Sequence, residues 1–230
     1  MKRLLTTAAL VLGTFSGSMM QVQAASNDIV SFVPSTPIPP AGIKLQYFDR
    51  DQLFGGDAAD IIAINQIWAA YVFYHDTHDG QRFASLFLPD AIWDQMFNNN
   101  GTLVPASGID GNGCLMHGRA QISNMIGVAE TNNAPALMIP GTSHHKVNSP
   151  LVKVDGDTAV MTAPWFSLGY DMKSAATRVH DGGTYFVKLK RTPDHGWMIQ
   201  AVHIMLTAWK GKPGQGKQDI CTLNGPTDMK

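Results

Sequence analysis

From Ser143 to Trp209 the apolar residues of this chain alternate with polar ones, whereas upstream they mostly recur at steps of three and four. Period two belongs to strands and a period near 3.6 to helices, so helical segments come first and a run of strands follows. The spacing predicts strands over 143–154, 158–171, 178–191 and 196–209, joined by short turns at Asp155-Gly156-Asp157 and Pro193-Asp194-His195-Gly196. Sequential strands with such turns form an antiparallel meander.

Upstream, Asp57 occupies a helix N-cap position with Asp60 three residues on, an approximate capping box. Ile61, Ile64, Trp68, Tyr71 and His75 then form one face of an amphipathic helix ending near Asp76. A second helix is expected over Gln81–Phe87, broken by Pro89-Asp90, then a strand over Ala91–Phe97. A third helix opens at Gly118-Arg119 and presents Ile122, Met125, Ile126 and Ala129 on one face. The fold class is therefore α+β: about three helices packed in a strongly curved antiparallel sheet, a cone-shaped barrel with a cavity between helices and sheet.

The rest of the chain flanks this unit. Met1-Lys2-Arg3, the apolar run Leu4–Phe15 and the small residues of Val22-Gln23-Ala24 have the layout of a secretory signal, with cleavage expected after Ala24. That run is too short to span a bilayer, so no membrane segment is expected, and the protein is placed in the periplasm or outside the cell. Residues 25–56, with Pro34, Pro37, Pro39 and Pro40, read as an extended lead-in, 57–209 as the domain and 210–230 as a flexible tail. Lys2 and Arg3 are the only charges in residues 1–24, so their removal takes the net charge from −1 to −3, which argues against a nucleic-acid partner. Cys114 and Cys221 either form one disulfide or remain two independent thiols.

Several pieces resemble the SnoaL-like branch of the nuclear-transport-factor-2-like superfamily. They are Asp79 with Arg82–Ala91, Gly118-Arg119-Ala120-Gln121-Ile122, His144-His145-Lys146-Val147-Asn148, Val154–Ala159, Gly182-Gly183-Thr184-Tyr185, Lys190-Arg191-Thr192 and Gly196-Trp197. They run in order over about Asp60 to Trp209. The resemblance implies the cone-shaped barrel. It leaves function open, since the superfamily holds cyclases, isomerases, dehydratases, a dehydrochlorinase, dioxygenase subunits and binding modules. Its dehydratase-like and dehydrochlorinase-like members use an Asp–His pair. On this chain the resemblance implies Asp76, at the end of the first helix, and His144, four residues before Asn148.

An aspartate bonded to an imidazole fixes its tautomer and raises its basicity, which suits a general base. Tyr71 and Tyr74 stand within a turn of Asp76 and are candidate donors to a developing oxyanion, while Trp93 and Trp165 are candidate flat walls for a ring-shaped ligand. Strand parity with Val152 and Val154 turns His144 inward; Lys146 shares that parity and argues the other way, which leaves a bulge or a ragged strand start open. His75, Asp76, His78 and Asp79 look like a metal cluster, but a chain crossing a turn sends such side chains apart, so no metal site is expected. Gly211–Lys217 has phosphate-loop spacing without the Ser or Thr or the helix that it needs. His180, His195 and His203 carry no motif, and for Arg119 a structural role is preferred to anion binding.

The first reading is thus an exported lyase or isomerase that needs no cofactor and acts on a small, apolar or ring-containing molecule. The rivals are a periplasmic binding module without chemistry and a domain that pairs into a homodimer through its open sheet.

Overall fold

The computed structural model describes residues 32–39, 41–105, 115–127, 143–171 and 176–209. The signal-like start, both cysteines and the 210–230 tail lie outside the described residues. The elements run β1 (Ile43–Lys44), α1 (Arg50–Leu53), α2 (Ala58–Asp76), α3 (Gly80–Ser85), β2 (Phe87–Asn99), β3 (Thr102–Pro105), β4 (Met116–His117), α4 (Gly118–Gly127), β5 (Ser143–Val147), β6 (Leu151–Asp155), β7 (Thr158–Asp171), β8 (Ala176–Thr192) and β9 (Gly196–Trp209).

All strands join one curled sheet in the order β1-β3-β2-β9-β8-β7-β5, with β4 also on β2 and β6 also on β7. Only β2 and β9 run parallel among the strand pairs described, since β2 returns to the sheet beside the last strand of the meander. The α+β fold is as expected, and the sheet is unclosed.

The longest helix begins where the sequence indicates. The Asp57 carboxylate accepts from Ala59 N at 2.8 Å and caps α2. Asp60 takes no part in a capping box. It accepts instead from Trp197 Nε1 at 3.0 Å and pairs with Arg191, tying the start of α2 to the β8–β9 hairpin. Ile64, Trp68 and Tyr71 are the buried face of α2 and join the main core, which β7, β8 and β9 complete with Met161, Trp165, Tyr185, Val187 and Val202. The second helix is shorter than expected. It ends at Ser85, and Pro89-Asp90 lies inside β2, where the register with β9 slips between Phe87 and Ile92. A bulge accommodates proline in a strand because the missing N–H is not needed there.

Tight curvature has a visible cause in β8. The register slips at Gly182–Gly183, and a Cβ on Gly183 would stand 1.8 Å from Met205 O. Only glycine permits this approach of β8 to β9.

The Pro-rich lead-in is part of the folded body. Phe32, Val33 and Ile38 are buried against Met96, Leu103, Val160 and Phe186 in a second cluster on the outer face of the sheet. β1 and α1 follow within the same segment.

The expected strand 143–154 is two strands. Both pair with β7, but Asn148-Ser149-Pro150 interrupts them, with Ser149 at φ 29°. This break decides the geometry of the site.

Candidate functional site

Asp76 is the last residue of α2, and β5 passes beside it. The carboxylate is held at both oxygens by one residue of that strand: the His145 backbone N–H donates to Oδ2 at 2.9 Å, and His145 Nδ1 lies 2.7 Å from Oδ1. His144 reaches Asp76 only loosely, with Nδ1 3.7 Å from Oδ2, and half of its side chain is exposed. The imidazole paired with Asp76 is therefore that of His145, not His144.

The register explains this correction. On β7, Met161, Ala163 and Trp165 face the main core and Ser167 is buried. His145 pairs with Ser167 and Val147 with Trp165, so odd positions of β5 face inward. On β6 the inward positions are even, since Val152 pairs with Met161 and Val154 with Ala159. Asn148–Pro150 shifts the phase by one residue. Carrying the parity of Val152 and Val154 across it picks the wrong histidine.

The pair sits where helix meets sheet. The side chains of His145 and Asp76 are 9% and 13% exposed, and the half-exposed His144 lies on the solvent side. Burial works to raise the Asp76 carboxyl, but the hydrogen bond with His145 and the nearby His75 outweigh it and hold the group well below the usual carboxylate range. With Asp76 ionised, the proton of the short bond belongs to His145 Nδ1, so that in a neutral imidazole Nε2 would carry the lone pair. No hydrogen-bond partner for that Nε2 is found among the described residues.

His75 is the third member of the cluster. Its ring stands edge-on to that of His145 with centroids 4.3 Å apart, and its Nδ1 is 3.7 Å from Asp76 Oδ1, too long for a hydrogen bond. Burial pushes the His75 imidazole down to about 4, and the neighbouring His145 adds to the effect.

The aromatic residues divide. Trp165 flanks the pair, its ring 5.2 Å from that of His145, and its Nε1 is buried without a partner among the described residues. Tyr71 lies one layer deeper. It is 1% exposed, stacks on Trp68 at 4.2 Å and accepts from Trp93 Nε1 at 2.9 Å, while burial pushes its phenol up. Trp93 is spent on that bond. Tyr74 is half-buried, and its ring meets Phe73 rather than the pair. Around Asp76 the rings pack mostly on one another, as Tyr71 does on Phe83 at 4.7 Å and Trp165 on Tyr185 at 5.1 Å.

The remaining residues singled out in the sequence have other partners. Asp79 caps α3 through Arg82 N and pairs with the Arg82 guanidinium. His78 takes the left-handed turn at φ 57°. Arg119 donates from Nε to Phe87 O at 2.7 Å, a structural contact.

Sequence reasoning gave no role to His203. It is fully buried, its Nδ1 2.7 Å from Asp94 Oδ1 and its Nε2 3.0 Å from Pro34 O. Asp94 and His203 are direct neighbours on the parallel pair β2–β9. No local motif marks such a pair, because its members lie more than a hundred residues apart.

A cleft of about 820 Å³ opens at the far end of α2, between Asp60, Ile67, Leu86, Arg119, Trp197 and Met198. Neither Asp76 nor His145 lines it.

The model of the SnoaL-like domain matches residues 56–203. The chain belongs to the SnoaL-like family. The match takes in α2, both Asp–His pairs and most of the meander. No curated protein matches the chain in sequence. Among solved structures, the Mycobacterium tuberculosis protein Rv3472, of unknown function, superposes with a TM-score of 0.51 at 17% identity, over 73% of this chain and 85% of that one. A Novosphingobium aromaticivorans protein described as the beta subunit of an aromatic-ring-hydroxylating dioxygenase gives 0.51 at 14% identity, over 65% and 92%. An NTF2-like protein with a cystatin-like fold, also from Novosphingobium aromaticivorans, gives 0.50 at 21%, over 72% and 88%. At these identities the likeness is one of fold: this SnoaL-like chain shares the fold of that NTF2-like protein.

Proposed function

We propose that this SnoaL-like protein is an exported lyase or isomerase that removes a proton from a small, ring-containing molecule, with His145 as the general base and Asp76 as its orienting carboxylate. The observation that carries the reading is the two-point hold of Asp76 on His145. It fixes the ring and supports a neutral imidazole with its proton on Nδ1 and its lone pair on Nε2. As the base takes a proton, Asp76 stabilises the imidazolium. Elimination of water or halide and double-bond shifts both begin with such a step, and the reading requires no cofactor. A base of this kind contributes about 10²–10⁴-fold to a rate. The Trp165 ring flanks the base, and its unpartnered indole N–H is a donor for a substrate oxygen.

The test is turnover on carbonyl compounds that carry an acidic C–H beside a hydroxyl or halide, read as elimination product or as deuterium taken up from heavy water. His145→Ala and Asp76→Asn should each lower the rate by about 10² or more, with the double variant little worse than either. Wild-type turnover in His145→Ala ends the reading. Export is tested separately, by N-terminal sequencing of protein from its native cell. A chain beginning at Met1 overturns it.

A second reading, ligand binding without chemistry, is favoured by the 820 Å³ cleft, whose apolar floor and Arg119 lie away from the pair. A bound molecule protected by that cleft and unaffected by His145→Ala would support it.

A further inference from the structure

We infer that His75, Asp76 and His145, with His144 at the rim, form a binding site for a divalent transition-metal ion of the zinc, nickel or copper kind. The inference goes beyond the acid–base reading and does not rest on it.

Three imidazoles from two elements converge on one carboxylate. Nδ1 of His145, His75 and His144 lie 2.7, 3.7 and 3.7 Å from its oxygens. One ligating atom from each of His75, Asp76 and His145 fits within a span of 4.8 Å. Ligands held about 2.0–2.2 Å from a zinc-like ion stand roughly 3–3.5 Å apart in a tetrahedron, so side-chain shifts of about an ångström bring this set to bonding distance. His144 is half exposed and gives an ion a way in.

A second observation concerns the availability of His75. His75 is mostly buried between Tyr71, Phe83 and His145, yet neither of its ring nitrogens makes a hydrogen bond among the described residues. A quarter of its side chain is exposed, and its ring nitrogens are free to ligate an ion.

The set differs from the one that the local sequence brings to mind. His78 and Asp79 go elsewhere, Asp79 into the cap of α3. The ligands that take their place come from β5, across the sheet–helix seam.

The donors also select the ion. Nitrogen dominates and a single carboxylate supplies oxygen, which suits borderline ions and disfavours calcium or magnesium, which need mostly oxygen. An ion on His145 Nδ1 would move the ring proton to Nε2, with no net loss of protons, and would remove the lone pair that general-base chemistry uses. Metal binding and proton abstraction would then exclude each other.

The experiment is calorimetric titration of the chelator-stripped mature protein with zinc, and with cobalt as a spectroscopic probe. Wild type should bind one ion with a micromolar or tighter Kd and give the visible bands of tetrahedral cobalt. Asp76→Asn, which keeps the shape of the side chain, and His145→Ala should each weaken binding at least tenfold, and His144→Ala less. Calcium should not compete. The inference is overturned if wild type binds no zinc up to millimolar concentration, or if both Asp76→Asn and His145→Ala bind it as wild type does. Either result leaves the acid–base reading standing, because turnover is measured on metal-free protein.

Discussion

Two Asp–His pairs in this molecule share a 2.7 Å bond from Nδ1 to a carboxylate oxygen, yet their surroundings differ. Asp94–His203 lies on the outer face of the sheet under the lead-in, with both ring nitrogens engaged and Ile38 N donating to Asp94 Oδ2 at 3.3 Å. Every polar atom of that ring has a partner, so the pair is a clasp between strands and lead-in. Asp76–His145 lies at the seam between helix and sheet, with one ring nitrogen unpartnered among the described residues and His75 and His144 beside it. Bond length does not separate these two pairs. The second nitrogen does.

The largest effect expected from this contrast is on stability. His203→Ala leaves a buried carboxylate with the Ile38 N–H as its remaining partner among the described residues and should cost about 3–5 kcal/mol in urea unfolding. His145→Ala should cost less than half as much, because Asp76 keeps the backbone N–H of residue 145 and a path to water. Equal costs would break the distinction between clasp and site.

Next in size is the lead-in. Ile38→Ala removes a buried side chain from the second cluster and should destabilise by about 2–3 kcal/mol. Rates of any reaction at His145 should stay as they are, since the cluster is on the other face of the sheet. A loss of rate without a loss of stability would tie the two faces together.

A pH experiment sharpens the comparison further. The His75 imidazole titrates near 4 in the fold against 6.5 for an ordinary histidine. A depressed value means that the unfolded chain takes up the proton first. Stability from this group is fully present above 6.5 and is lost as pH falls from there to about 4. Discounted for the quarter of the side chain that remains exposed, the loss should be about 2 kcal/mol. Unfolding in chelator-containing buffer across that window measures it. His75→Gln should flatten the curve, and an unchanged slope in that variant would assign the effect elsewhere.

The smallest effect is reserved for His144. Half exposed and 3.7 Å from Asp76, it should tolerate alanine within about 0.5 kcal/mol, with turnover changed no more than a few-fold. A large drop in rate would return the base to His144.

Much of the architecture was legible in the sequence because it follows from local rules. The apolar steps of α2, its Asp57 cap and the Asp-Gly turn at Gly156, whose φ is 57°, are short-range facts of backbone and burial. The same steps place Asp76 at the end of α2. Three decisions belong to tertiary structure alone. The phase of β5 is set by its register on β7 after the break at Asn148–Pro150, and that register turns His145 inward. Asp94 and His203 meet because β2 returns beside β9, a pairing that no neighbouring residues encode. The lead-in, poor in periodicity, is ordered by the apolar outer face that it covers. Alternation tells which residues share a side of a strand. Which side becomes the inside is decided by the strand it pairs with.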